Sequence, residues 1–218
     1  MASFTQNNVL LLYASEGGTA FDLSNRVSSL ASRRFLNMCP QGMDDALCFE
    51  DVDPVQRLKA LAGSTGLVIF VISTTGDGEV PNNMSKSWRA FLNRNIGKQS
   101  LSGIRFALYG IGDRGYGHKF CAAARKLDGR LKQIGATSLT ERVLADDQDP
   151  RGGVLAEFDP WLTTLWKALL VVHPLPEGSV IDDILIIFGY GFQLITAPRI
   201  LLREEKEIWW HQHVCLSR

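Results

Sequence analysis

Three short stretches of this sequence concentrate the residue types able to do chemistry. They are Ser15-Glu16-Gly17-Gly18-Thr19-Ala20, Ser73-Thr74-Thr75-Gly76 and Ile111-Gly112-Asp113-Arg114-Gly115-Tyr116-Gly117-His118-Lys119-Phe120-Cys121. In the first, two hydroxyls and two adjacent glycines precede a helical pattern. Backbone N–H groups of such a loop converge on one anion, and the helix N-terminus adds partial positive charge. A phosphate is the natural guest. The loop is neither G-x-x-x-x-G-K-[ST] nor G-x-G-x-x-G, so it carries no lysine for a triphosphate and no dinucleotide fingerprint. It suits a terminal monophosphate bound without a counter-cation, although a plain capped helix after a glycine turn would read the same way.

The second stretch runs on through Asp77, Gly78 and Glu79. Its alternating glycines free the backbone to present carbonyl and N–H groups to a flat polar ring. In the third, Tyr116 is the side chain able to lie against an aromatic ligand, a contact worth about 1 kcal/mol beyond its buried area. The second stretch taken singly reads equally as a turn. A fourth stretch, Ala145-Asp146-Asp147-Gln148-Asp149, is acidic. His118 and Cys121 read more readily as a loop histidine and a small buried thiol than as catalytic groups.

The elements that must position these loops follow from periodicity. Apolar strand-like runs lie at Val9 to Ala14, Gly66 to Ser73 and Ile104 to Ile111, with weaker candidates at Leu47 to Val52 and Leu139 to Leu144. Between them the spacing predicts helices at Ala20 to Phe35, Val55 to Leu61, Ser85 to Arg94, Ala122 to Ile134 and Phe158 to Leu170. Five β-α repeats with connections too long for hairpins force parallel pairing and right-handed crossovers. The expected fold class is α/β, a doubly wound five-stranded parallel sheet, with ligand at the carboxyl ends of the strands.

Composition bounds the partners. The chain has 218 residues, with Lys+Arg and Asp+Glu both at 23, so no global basic field draws nucleic acid or anionic lipid. The four cysteines, Cys39, Cys48, Cys121 and Cys215, have no C-x-x-C spacing, which speaks against a zinc site and for a reducing compartment. No signal peptide and no apolar run of membrane-spanning length stands out; Ile184 to Ile195 is too short. The expected location is the cytoplasm.

A phosphate-sized loop, two loops made for a planar ring and an open α/β sheet together point to flavin mononucleotide, FMN. The segments "SEGGTA", "STTGDGEVPNNMSKSWRAFL", "LYGIGDRGYGHKF", "KLDGRLKQIGA", "LADDQ" and "DPWLTTLW" resemble, in order, the flavodoxin-like FMN domain of the NADPH-dependent diflavin oxidoreductases. "TTG" and "NNM…W" look most like the branch that feeds electrons to cytosolic iron–sulfur cluster assembly. The resemblance implies that Ser15 to Ala20 wrap the FMN phosphate. It implies that Ser73 to Gly76 border one side of the flavin ring, Ile111 to Cys121 the other with Tyr116 as platform, and that Asp147 lies near the cofactor. It implies that the Gly76 carbonyl accepts a hydrogen bond from the reduced ring, and that electrons pass to an iron–sulfur protein acceptor from a reductase module carrying FAD and NADPH. Asp77, Glu79, Asp113 and Asp147 would then lower the ring's potential, or be solvated loop charges.

The sequence departs from that family in three places. Gly17 replaces a usual threonine, removing a hydroxyl worth roughly 1 kcal/mol; Val80 stands where proline is common; and the third loop is one residue longer around Gly117-His118. The expected organisation is a flavodoxin-like domain over 1–170 and a linker with a divergent tail over 171–218. The likeness stops after Ile187, and the tail reads as that of a truncated or alternatively ended product without a reductase module. Two other readings stay open: an FMN domain of P450-reductase or sulfite-reductase type, and a flavodoxin-like scaffold without cofactor.

Overall fold

A computed structural model describes residues 7–49 and 52–175. The tail, including Cys215 and the segment past Ile187, lies outside the described residues.

The most hydrophobic run, Leu67–Ser73 (β3), is the central strand, buried on both faces because helices cover both. Leu10–Ala14 (β1) pairs with it on one side, Leu12 opposite Phe70. Arg105–Gly112 (β4) pairs on the other, Phe70 opposite Leu108. Pro40–Gly42 (β2) flanks β1. Beyond β4 the last position is shared by two short pieces, Thr137–Ser138 (β5) and Val143–Asp146 (β6), both paired to β4. All these pairings are parallel, and the order across the sheet is β2-β1-β3-β4 followed by β5 and β6. A two-residue ladder, Asn7–Asn8 beside Leu36–Asn37, forms a separate parallel pair. The five expected strand positions are therefore present, with the last one split. The chain leaves β1 for β2 on one side and returns for β3 on the other, so the topological switch point lies between β1 and β3.

Among the described residues six α-helices flank the sheet: Thr19–Ser32 (α1), Met43–Leu47 (α2), Pro54–Ala62 (α3), Ser85–Phe91 (α4), Ala122–Gln133 (α5) and Phe158–Val172 (α6). The period-2 alternation of β3 sorts its side chains between two cores. Val68, Phe70 and Ile72 pack with α2 to α5, while Leu67, Ile69 and Val71 pack with α1 and α6. On the α6 side, the rings of Tyr109 and Trp161 approach to 4.9 Å and those of Tyr109 and Phe158 to 5.4 Å. On the other side α5 sits close because position 110 is glycine: a Cβ there would fall 2.6 Å from the Ala124 methyl.

The second strand is displaced from expectation. The run from Leu47 to Val52 was expected as strand, but Leu47 ends helix α2, whose Met43, Ala46 and Leu47 are buried at helical spacing. The strand lies earlier, at Pro40–Gly42, where proline is tolerated because it opens a short edge strand. Burying three apolar side chains at helical spacing outweighs the β propensity of the later run. Helix α1 stops at Ser32 rather than Phe35, whose φ of 58° is left-handed and ends the spiral.

Candidate functional site

The loops after β1, β3, β4 and β6 meet at the carboxyl ends of the strands around a cleft of about 230 Å³. The first is organised by Ser15. Its Oγ accepts hydrogen bonds from the N–H groups of Gly18, at 3.0 Å, and Ala20, at 3.3 Å. Gly18 precedes α1 with φ of 91°, a conformation glycine adopts without the penalty a side chain would bring. Ser15, Glu16, Gly17 and Thr19 line the cleft; Gly18 and Ala20 instead shape the turn behind it. Among the described residues nothing accepts from the N–H groups of Gly17 and Thr19. Those two groups lie at the open end of a helix, where an anion is favoured.

Two residues that the sequence showed only as part of the family likeness, not as site residues, hold this loop from outside. Asn83 Oδ1 accepts from the Ser15 N–H at 3.0 Å, and the Asn82 amide donates to Glu16 Oε1. Their signal was present in the sequence as an Asn-Asn pair after a proline, but only the fold brings it beside the first loop.

After β3, Ser73 Oγ donates to the Ala14 carbonyl at 2.9 Å across the switch point. Thr74 Oγ1 accepts from the Ala123 N–H at 3.2 Å, tying this loop to the start of α5. Thr75 and Glu79 form an antiparallel bridge that closes the turn, with Gly76 and Gly78 at φ of 47° and 86°. Ser73, Thr74, Thr75, Gly76 and also Gly78 line the cleft. Asp77 and Glu79 do not. Asp77 pairs with Lys119, whose charge holds the Asp77 carboxyl below the usual carboxylate range by hydrogen bond first and Coulomb attraction second.

After β4, Asp113 caps a short turn by accepting from the Gly115 N–H at 2.6 Å. That turn carries Tyr116 to the mouth of the cleft, with 57% of its surface exposed. Gly117, at φ of 55°, breaks the turn so that the chain can bend back. Ile111, Gly112, Asp113, Tyr116, Lys119 and Cys121 line the cleft. Arg114, Gly115, Gly117, His118 and Phe120 stand outside that lining: the Arg114 guanidinium lies 4.9 Å from the Phe120 ring centre and 3.5 Å from Asp146. From the loop after β6, Asp147 lines the cleft and donates its N–H to the Gly112 carbonyl at 2.8 Å.

Cys121 seals the floor. Its backbone is left-handed, at φ of 48°, and its Sγ lies 3.6 Å from the Ala145 carbonyl. A side chain at position 112 would meet its backbone nitrogen at 2.7 Å, so Gly112 is required for this approach. Burial pushes the Cys121 thiol up to about 12, which removes the reactive thiolate at neutral pH. Iodoacetamide at pH 8 is therefore expected to label the exposed Cys39 quickly and Cys121 only as the fold opens. Raising the pH to about 9 should bring little gain at Cys121, whose thiol burial keeps protonated there. Mass spectrometry of labelled peptides reads both rates, and equal rates would contradict the buried placement.

The chemistry of this arrangement is that of a binding site. Its charged lining is Glu16, Asp113, Asp147 and one cation, Lys119, already paired with Asp77. An anion in the first loop would be met by N–H groups, hydroxyls and the α1 terminus rather than by a lysine. Among the described residues no group of three or more His, Cys, Asp or Glu is placed to hold a metal ion, and no helix is long and apolar enough to cross a membrane.

The profile of the flavodoxin family matches residues 11–161. The chain is 36% identical over 187 residues to NADPH-dependent diflavin oxidoreductase 1 of Arabidopsis thaliana, covering 81% of this chain and 28% of that protein. It is 38% identical over 192 residues to the protein of the same name from Xenopus laevis, covering 87% of this chain and 30% of that protein. The chain thus spans less than a third of the length of these relatives. In fold it resembles a cysteine-to-alanine mutant of flavodoxin from Pseudomonas aeruginosa, with a TM-score of 0.58 and 24% identity over 74% of this chain and 98% of the other.

Proposed function

This chain belongs to the flavodoxin family, and from that premise we propose that it is an electron-transfer domain that binds FMN in the cleft. The observation that carries this reading is the convergence of all four loops at the switch point, with backbone N–H groups and hydroxyls rather than a cationic side chain at one end and Tyr116 at the other. The donor set fits the group. The N–H groups of Gly17 and Thr19 with the Thr19 hydroxyl would hold a phosphate, and the glycine-rich turn from Thr75 to Gly78 would border the ring. Bound FMN supplies the capacity to take up electrons in pairs and release them singly.

The chain's own residues supply position and field. The Thr75–Glu79 bridge fixes the turn whose Gly76 backbone faces the cleft. Asp113 and Asp147 place negative charge at its edge and disfavour further negative charge on anything bound there. The residues that shape the turns without lining the cleft, namely Gly18, Ala20, Gly115 and Gly117, serve the same site by fixing its walls.

In its finer form the reading is an FMN domain over residues 1–170. It takes electrons from an FAD- and NADPH-dependent reductase module and passes them to an iron–sulfur protein in the cytoplasm, for iron–sulfur cluster assembly. The similarity to the diflavin oxidoreductase relatives supports the reductase partner, and the likeness of the "TTG" and "NNM" segments supports the acceptor. Titration with FMN and with riboflavin tests the site assignment: FMN is expected to bind far more tightly, because only it carries the phosphate. Tyr116→Ala should weaken both ligands alike, by about fivefold to tenfold, from roughly 1 kcal/mol of stacking and some lost contact area. Equal affinities of the unaltered protein for FMN and riboflavin would refute the phosphate cradle.

A further inference from the structure

Although the chain is neutral overall, its charges are segregated: between Asn82 and Arg142 stand twelve Lys and Arg against three Asp and Glu. Much of this excess sits on α5 and the loops it touches. Arg125, Lys126 and Arg130 follow one another along that helix, and each is held by neutral oxygens. Arg125 donates to the His118 carbonyl, and Lys126 donates to the Gly78 carbonyl at 3.3 Å. Arg130 donates to the carbonyls of Phe91 and Asn93 and to the Gln133 amide oxygen. No carboxylate among the described residues pairs with any of the three. Arg114, Lys119, Lys132, Arg142 and Arg151, by contrast, all have carboxylate partners. Cations fixed by carbonyls are oriented but not neutralised, so this side of the molecule keeps a positive field.

The patch adjoins the cleft. Arg125 and Lys126 share a depression of about 410 Å³ with Gly78, His118 and the Asp77–Lys119 pair, whose charges offset each other, and Gly78 and Lys119 also line the cleft. The bonds from Arg130 to Phe91 and Asn93 extend the strip to the end of α4, where Arg89 and Arg94 are exposed. On the other flank the cleft is acidic at Asp113 and Asp147, while Asp146 and Asp149 nearby are paired with Arg114 and Arg151. A long uniform polyanion such as duplex DNA, or an anionic membrane, would meet that acidic flank as well as the patch. A protein with one acidic segment meets the patch alone.

We propose that the strip formed by Arg125, Lys126 and Arg130 beside the cleft docks an acidic segment of a separate electron-acceptor protein. This deepens the electron-transfer reading and rests on it, since the strip matters to function only if the neighbouring cleft exchanges electrons. Complementary charge would raise the encounter rate and orient the acceptor toward the cleft, with a strong dependence on salt.

The test uses the full chain with FMN added and a fluorescent deca-glutamate peptide as probe, read by anisotropy. Binding is expected at about 20 mM salt and should weaken at least tenfold near 0.2 M. Arg125→Gln/Lys126→Gln/Arg130→Gln should also weaken it about tenfold or more, and Lys167→Gln, on α6, should leave it unchanged. Since Arg125, Lys126 and Arg130 all bond to backbone carbonyls, the exposed pair Arg89→Glu/Arg94→Glu, at the end of the strip, is measured alongside and should also weaken binding. Peptide binding that ignores both sets of substitutions would overturn the proposal. So would a short DNA duplex or phosphatidylserine vesicles binding through these residues as tightly as the peptide. The flavin absorbance of each variant is recorded separately: loss of peptide binding with flavin retained supports the docking strip, whereas no FMN uptake by the unaltered chain defeats the electron-transfer reading instead.

Discussion

Gly17→Asp is expected to weaken FMN binding by roughly thirtyfold or more while leaving the fold and riboflavin binding almost untouched. Position 17 lines the cleft and a Cβ there meets nothing within 4 Å, so the side chain is accommodated. What changes is charge. A carboxylate roughly 5 Å from a phosphate repels it by ~3 kcal/mol per unit charge at an effective dielectric of 20, and by about 2 kcal/mol once solvent screening at an exposed loop is allowed for. That is roughly a thirtyfold loss for a monoanion and more for a dianion. Riboflavin carries no charge in that loop and should change by less than about threefold. Gly17→Thr gives the opposite sign: one added hydroxyl donor is worth about 1 kcal/mol, or roughly fivefold tighter FMN. Isothermal titration with the two ligands reads both variants, and parallel loss of FMN and riboflavin in Gly17→Asp would mean that the loop does not face the phosphate.

The largest effect on stability is expected at Trp161. It is 2% exposed and packs against Tyr109 at 4.9 Å and Phe158 at 5.8 Å between ring centres, beneath the middle of β4. Tyr109 in turn donates its hydroxyl to the Val154 carbonyl, so the cluster ties α6 and the preceding turn to the sheet. Trp161→Ala removes the largest fully buried side chain and leaves a cavity, at a cost of about 3–5 kcal/mol. For a chain of this size that lowers the melting temperature by roughly 6–20 °C. Trp161→Phe should cost much less, because the indole N–H has no hydrogen-bond partner and only volume is lost. Thermal unfolding followed by circular dichroism distinguishes the two. A loss in Trp161→Phe as large as in Trp161→Ala would show that shape, rather than buried volume, governs this core.

The sequence made the central strands readable because both faces are covered. A run such as Leu67–Ser73, apolar throughout and ended by Ser-Thr-Thr-Gly, has few other solutions. It did not reveal the edge. Pro40–Gly42 carries no strand signature, since an edge strand needs only one ladder, whereas the Cys48-Phe49 region looks extended but follows a buried helical turn. The site was legible to the same degree. Residues at or just past a strand end, such as Ser15, Thr74 and Gly112, fell at the cleft because strand ends place them there. Residues that act across the sheet did not show themselves. Asn82 and Asn83 reach the first loop from far along the chain, and Asp77 turns outward to pair with Lys119. Spacing along one chain carries no record of such partners; pairing between loops does.

The same geometry explains why a site with so few cations suits a phosphate. The N–H groups of Gly17 and Thr19 and the α1 terminus provide directional positive charge without a side chain that must be ordered on binding. The acidic edge at Asp113 and Asp147 then acts on the ring end of the cleft rather than on the phosphate end, since those residues come from β4 and β6 on the far side of β3 from the first loop. Separation of the two ends across the switch point lets one cleft favour an anion at one side and oppose added negative charge at the other.

The most direct measurement is the visible absorption spectrum of the protein purified without added flavin, followed by identification of whatever it releases on denaturation. The account predicts flavin bands and release of FMN rather than FAD, with uptake of FMN to about one per chain where occupancy is partial. A colourless protein that takes up no FMN on titration would contradict it.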